Sequence, residues 1–208
     1  MVKSIMMPTQ SRFDKAKEIF RAHHGVLRTR AAIELGIHPS TLYGLRDQGE
    51  LEEISRGLYR LAHLDELSSP DLVTISQLIP KGVVCLISAL AFHNITLQIP
   101  HEIFVALPED MKAPKVEFPP VRFFHMTRSY FEMGIQTQVI DGIDVQIYSP
   151  EKTVVDCFKF RNKIGIDVAA EALRLCIQKY KSKPAAFMDF ARAGRVNKTM
   201  RPYFEALQ

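Results

Sequence analysis

The chain has 208 residues, 47% hydrophobic and 24% charged, with a formal net charge of +4. This is enough for one or two compact domains with a real core, and it excludes a wholly disordered or fibrous protein. No apolar run reaches membrane-spanning length, and the opening "MVKSIMMPTQSRFDKAKEIF" has neither a long apolar stretch nor a small-residue cleavage site, so a cytoplasmic protein without a secretory leader is expected.

Phe13, Ala16, Ile19, Phe20 and His23 recur at helical spacing, which predicts an amphipathic helix over 11–24 that Gly25 ends. Thr29 is a candidate N-cap for a second helix over 30–35, closed by Gly36. His38-Pro39-Ser40 opens a third, running to about Gln48, with Pro39 in its first turn. "LEEISRGLYRL" then reads as a β-hairpin with Arg56-Gly57 at its tip. Polar "LDELSSPD", 64–71, is the expected linker.

Beyond it, "DLVTISQLIP" and "GVVCLISALAFHNI" read as helices, and "EIFVAL" and "VRFFHM" as strands. "TQVIDGIDVQIY" predicts a hairpin turning at Asp141-Gly142. Ser149-Pro150-Glu151 is a strong helix start, and helices follow near 167–179, 184–192 and 197–206. The expected fold is α+β: an N-terminal winged helix-turn-helix over 1–64, then a mixed domain over 70–208 with a small antiparallel sheet and C-terminal helices.

The second and third helices carry the functional argument. In a helix-turn-helix the first helix needs a small residue at the crossing, the turn needs glycine, and the second helix needs apolar anchors on one face only. Ala32, Gly36, and Leu42 with Leu45 meet those needs, and Leu35 and Ile37 are expected to plug the corner. The outer face of the third helix then offers Ser40, Thr41, Tyr43 and Arg46, with Gly44 leaving room for a backbone to approach. Hydroxyls, an aromatic ring and a guanidinium suit base edges and phosphates. Arg28, Thr29 and Arg30 lie at the start of the first motif helix, and Arg56 at the hairpin tip, where phosphates are expected. Those eight residues form the candidate DNA-binding set.

The run "GVLRTRAAIELGIHPSTLYGLRDQGELEEISRGLYRL" resembles the N-terminal winged helix of the AbiEi-type antitoxin and transcriptional-regulator family. The matching positions are Gly25 and Thr29, Ala32, Leu35-Gly36, Ser40-Thr41-Leu42, Gly49-Glu50-Leu51 and Arg56-Gly57-Leu58-Tyr59-Arg60. "ISALAFHNIT" and "SPEKTVVDCF" are similar to later landmarks of the same family. The resemblance implies a type IV toxin-antitoxin regulator that binds its own promoter. Its implied toxin partner is nucleotidyltransferase-like, and antitoxin activity is implied for the C-terminal domain.

Other chemistry finds less support. His93, His101 and His125 and the three cysteines show no zinc-ligand spacing, so no metal or cofactor is expected. No nucleophile elbow or phosphate-cradling glycine loop is present, and a non-enzyme is expected. Asp141 and Asp144 read as hairpin residues, and Asp156 as lying near the edge of an apolar helix face, paired with Lys152 or with a basic group elsewhere. Charge is uneven. Residues 1–62 carry net +3, 63–150 net −5 and 151–208 net +6, which suits an anionic partner at one or both ends. The expected partner is double-stranded DNA at a promoter inverted repeat, met by a homodimer or a cooperative pair. The competing reading is a protein-binding antitoxin module whose winged helix makes protein contacts.

Overall fold

A computed structural model describes residues 11–207, so part of the leader expectation falls on residues 1–10, outside the described residues. The chain divides after Pro70 into two compact units.

In the first unit, Ser11 Oγ accepts the Asp14 N–H at 3.2 Å and starts helix α1, Arg12–Ala22. The helix ends where His24 and Gly25 take left-handed φ values of 57° and 78°. Strand β1, Val26–Arg28, follows, then α2, Thr29–Glu34, and α3, Pro39–Asp47. Strands β2, Leu51–Ser55, and β3, Leu58–Leu61, form the hairpin. The sheet order is β1-β3-β2, both pairs antiparallel. β1 was not expected, because three residues are too few to show a period-2 pattern. This is a winged helix-turn-helix.

Its core joins Ala16 and Phe20 of α1, Ala32, Ile37, Leu42 and Leu45 of the motif, and Leu27, Leu51, Tyr59 and Leu61 of the sheet. Leu35 corrects the sequence reading: it is 41% exposed, and Ile37 alone fills the corner. Leu35 is the C-cap of α2, and its carbonyl end turns away at Gly36, which has φ 92°. Gly44 is also reassigned. A Cβ there would come within 3.1 Å of the Phe13 ring, so the close approach it permits is that of α1.

The second unit contains α4, Pro70–Leu78; β4, Val83–Val84; α5, Leu86–Phe92; β5, Ile103–Pro108; β6, Val121–Met126; and α6, Arg128–Phe131. It continues with β7, Ile135–Ile140; β8, Ile143–Tyr148; α7, Pro150–Lys159; α8, Arg161–Ile164; α9, Ile166–Tyr180; α10, Ala185–Ala193; and α11, Asn197–Glu205. The fold class is α+β, as the element pattern implies.

The expected small antiparallel sheet is in fact five-stranded and mixed, with order β6-β5-β4-β8-β7. Pairs β5·β6 and β4·β8 are parallel. Val83 and Val84 sit in a continuous apolar run that reads as helix, yet they form the two-residue strand β4 that joins the two halves. The 109–120 connection between β5 and β6 is long enough for a parallel crossover. Strand β5 is buried on both faces, so it reads as an unbroken apolar run. Phe104 and Ala106 enter the main core with Leu90, Tyr148, Val154 and Phe158. Ile103, Val105 and Leu107 pack against Ile75 of α4 and Ile79 just after it.

The β7–β8 hairpin turns at Asp141-Gly142, both with positive φ, the geometry that matches strand twist. Ser149 Oγ caps α7 by accepting the Lys152 N–H at 3.2 Å. Cys85, Cys157 and Cys176 are buried free thiols, and burial pushes Cys176 up to about 12. Among the described residues, no helix is long and apolar enough to cross a membrane.

His93 gives this unit a pH dependence. It is buried, and its Nε2–H donates to the Tyr148 carbonyl at 2.7 Å. Burial lowers its pKa from the ordinary histidine value, against the opposing pull of that carbonyl. A lowered folded-state pKa contributes stability that is present above the ordinary value of about 6.5 and lost as pH falls through the lowered one. Urea midpoints should therefore drop on acidification below about pH 6.5, and His93→Gln should flatten that limb of the profile. An unchanged limb in the variant would assign the acid sensitivity elsewhere.

Candidate nucleic-acid interface

The third helix divides by face. Leu42 and Leu45 are fully buried, while Ser40, Tyr43 and Arg46 are exposed. Thr41 departs from the expected set. It is only 4% exposed, because position 41 falls on the inner side, toward α1. It is not available to a base edge.

Arg46 is held in place before any ligand arrives. Its guanidinium bonds to Asp47 Oδ1 at 2.8 and 3.0 Å and lies 5.2 Å over the Tyr43 ring. Asp47 raises its pKa above the ordinary arginine value by that hydrogen bond and by charge. Tyr43 and Arg46 thus present a stacked aromatic–guanidinium pair, 40% exposed at each side chain or residue. An exposed ion pair is worth little in water, so a phosphate or guanine can replace Asp47 at small cost. Arg30 likewise bonds Glu34 at 2.8 Å on the exposed side of α2.

Thr29 is the first residue of α2 rather than its N-cap, a position that Arg28 takes. The Thr29 hydroxyl donates to the Gly57 carbonyl at 3.2 Å, and its N–H to the same oxygen at 2.9 Å. Thr29 therefore ties the hairpin tip to α2. Gly57, at φ 68°, also donates its N–H to Glu53 Oε1 at 2.8 Å. Arg56 sits beside it in this braced turn, and Arg28 is exposed at the end of β1. Arg60, the last residue of the "RGLYR" motif, is buried and donates to the Asp65 carbonyl, so its role is to fasten the segment after β3.

His38 opens α3, as the His38-Pro39-Ser40 start implies, and its ring takes a direct part. Its Nδ1 accepts the Ser40 N–H at 3.2 Å and lies 2.9 Å from Ser40 Oγ, so it caps α3. Nothing in the sequence signals this, because histidine is not among the favoured capping residues.

This geometry, a helix with one polar face beside a braced hairpin, agrees with comparison to known proteins. Residues 14–62 match a family described as "Transcriptional regulator, AbiEi antitoxin". The match covers α1 through β3, so it is the N-terminal unit that shows the AbiEi likeness. The crystal structure of the RV2827C protein from Mycobacterium tuberculosis is similar to the chain with a TM-score of 0.52. The two are 15% identical, and the likeness covers 89% of this chain and 78% of that one. At that identity it speaks for the fold alone. No curated protein matches the sequence.

Proposed function

We propose that the chain is a sequence-specific DNA-binding transcriptional regulator of AbiEi type, an autorepressing antitoxin of the cytoplasm. The observation that carries this is the outer face of α3, where Ser40, Tyr43 and Arg46 stand exposed over the buried Leu42 and Leu45. Ser40, Tyr43 and Arg46 enter the major groove, and Arg28, Arg30 and Arg56 hold phosphates. A single module of this size meets few base pairs, so two protomers bind an inverted repeat. Its toxin partner is nucleotidyltransferase-like and engages the second unit.

The test is titration of full-length protein against a labelled duplex from upstream of its own gene, from low to physiological salt. The parent should prefer that duplex to a scrambled one and weaken steeply with salt. Arg56→Ala should weaken both duplexes alike and reduce the salt slope by about one. Equal affinity of the parent for both duplexes would defeat the reading.

A second reading has one observation in its favour. Ile33 of α2 and Leu35 at its C-cap are 44% and 41% exposed, two apolar side chains on the winged helix that suit a protein contact. Loss of toxin co-purification, with intact DNA binding, in an Ile33→Ser/Leu35→Ser variant would favour it.

A further inference from the structure

Helix α1 and the start of α3 enclose a cleft of about 340 Å³. Arg12 and Lys15 of α1 stand on one side of it, and His38, Ser40 and Thr41 on the other. No carboxylate among the described residues lines it. Among the described residues, neither Arg12 nor Lys15 has an acidic partner within ion-pair distance, unlike Arg30 and Arg46. Lys17, one turn-face away on α1, is instead neutralised by Glu50 at 3.0 Å. The cleft thus carries two cations of α1 without a carboxylate partner among the described residues, the Arg12 guanidinium lying 5.0 Å over the Phe13 ring.

Thr41 supplies a second observation. It is 4% exposed, it lines the cleft, and its hydroxyl has no hydrogen-bond partner among the described residues. That leaves the hydroxyl open to a ligand in the cleft. The backbone cannot provide the site's donors. The Ser40 N–H is taken by His38 Nδ1, and those of Thr41 and Leu42 by the His38 carbonyl. The donors on offer are the Arg12 guanidinium, the Lys15 ammonium and the Ser40 and Thr41 hydroxyls, with the positive end of α3 behind them. All of these can donate to an oxyanion, and the guanidinium and ammonium repel a cation.

We propose that this cleft seats a phosphate group, supplied by the backbone of bound duplex DNA. The proposal rests on the DNA-binding reading and extends it to residues outside the expected set. Thr41 becomes a phosphate ligand instead of a base reader, and α1 lies along the backbone through Arg12 and Lys15. Ser40 then stands at the boundary between phosphate and base contacts.

A phosphate seat is indifferent to sequence, so a random duplex is the probe. Full-length parent, Lys15→Ala and Thr41→Val are titrated against it across salt, with amide NMR spectra confirming that each variant is folded. Lys15→Ala should reduce the salt slope by about one. Thr41→Val should weaken binding about tenfold, since it removes a hydroxyl bonded to a charged group. A parent that binds while both variants keep its affinity and slope overturns the seat and leaves DNA binding standing. A parent that binds no duplex overturns the DNA source, and inorganic phosphate and a deoxynucleoside monophosphate then decide the seat itself. Saturable shifts of the Ser40 and Thr41 amides, absent in Lys15→Ala, would assign the cleft to free phosphate. No shift would remove it altogether. An Arg12→Ala variant provides the same readout should Lys15→Ala not fold.

Discussion

Asp156→Ala is expected to destabilise the second unit by about 3–5 kcal/mol, the cost of leaving one buried charge without its partner. Lys152 and Asp156, one turn apart on α7, are both completely buried. Lys152 Nζ meets the two Asp156 oxygens at 2.8 and 2.7 Å. The Tyr130 hydroxyl donates to Asp156 Oδ1 at 2.6 Å. The ammonium also lies 3.9 Å from the centre of the Tyr130 ring and 4.0 Å from that of Tyr148. The pair therefore ties α7 to α6 and to β8. Burial lowers the pKa of Lys152 and raises that of Asp156, each against the attraction of its partner, so desolvation outweighs pairing for both groups. It follows that the pair specifies how α7 docks more than it stabilises the docked state. Lys152→Met with Asp156→Leu should recover most of the loss that either single change to alanine causes. Urea unfolding of the parent, the two alanine variants and the Met/Leu double variant measures it. Single-variant losses below about 1 kcal/mol would show that water reaches the pair.

The second large effect concerns recognition. Arg46→Ala should lower affinity for the operator about tenfold or more and relax preference at one base pair, while the scrambled duplex is affected far less. The reason is preorganisation. Arg46 is already stacked over the Tyr43 ring at 5.2 Å, a contact that replacement of Asp47 by a base leaves in place, so less side-chain freedom remains to be lost on contact. Competition with duplexes changed one base pair at a time measures this. Discrimination equal to the parent's at every position would place base reading on other residues.

Periodicity located most helices of both units, because an amphipathic stripe repeats several times in nine or more residues. It also located the hairpins at Arg56-Gly57 and Asp141-Gly142, where the turn chemistry is local. It failed where an element is short or a pairing is distant. β1 and β4 have three and two residues, and their partners lie far along the chain. The parallel pairs of the sheet are invisible for the same reason. Within the candidate interface, Leu42 and Leu45 were legible as core from spacing. Thr41 was not, since its burial is decided by the position of α1 against α3, which no local pattern encodes. Thr29 was recognised as important for a different reason from the one the structure gives. Its hydroxyl holds the hairpin tip. Asp156, read as lying near the edge of an apolar face, is fully buried because Tyr130 and Lys152 satisfy it there.

The central claim is that α3 and the hairpin tip contact DNA. Amide hydrogen exchange of the full-length protein, with and without its upstream duplex, tests it most directly. DNA should slow exchange across 39–47 and 55–58. Protection confined to 71–208, with the duplex bound, would contradict it.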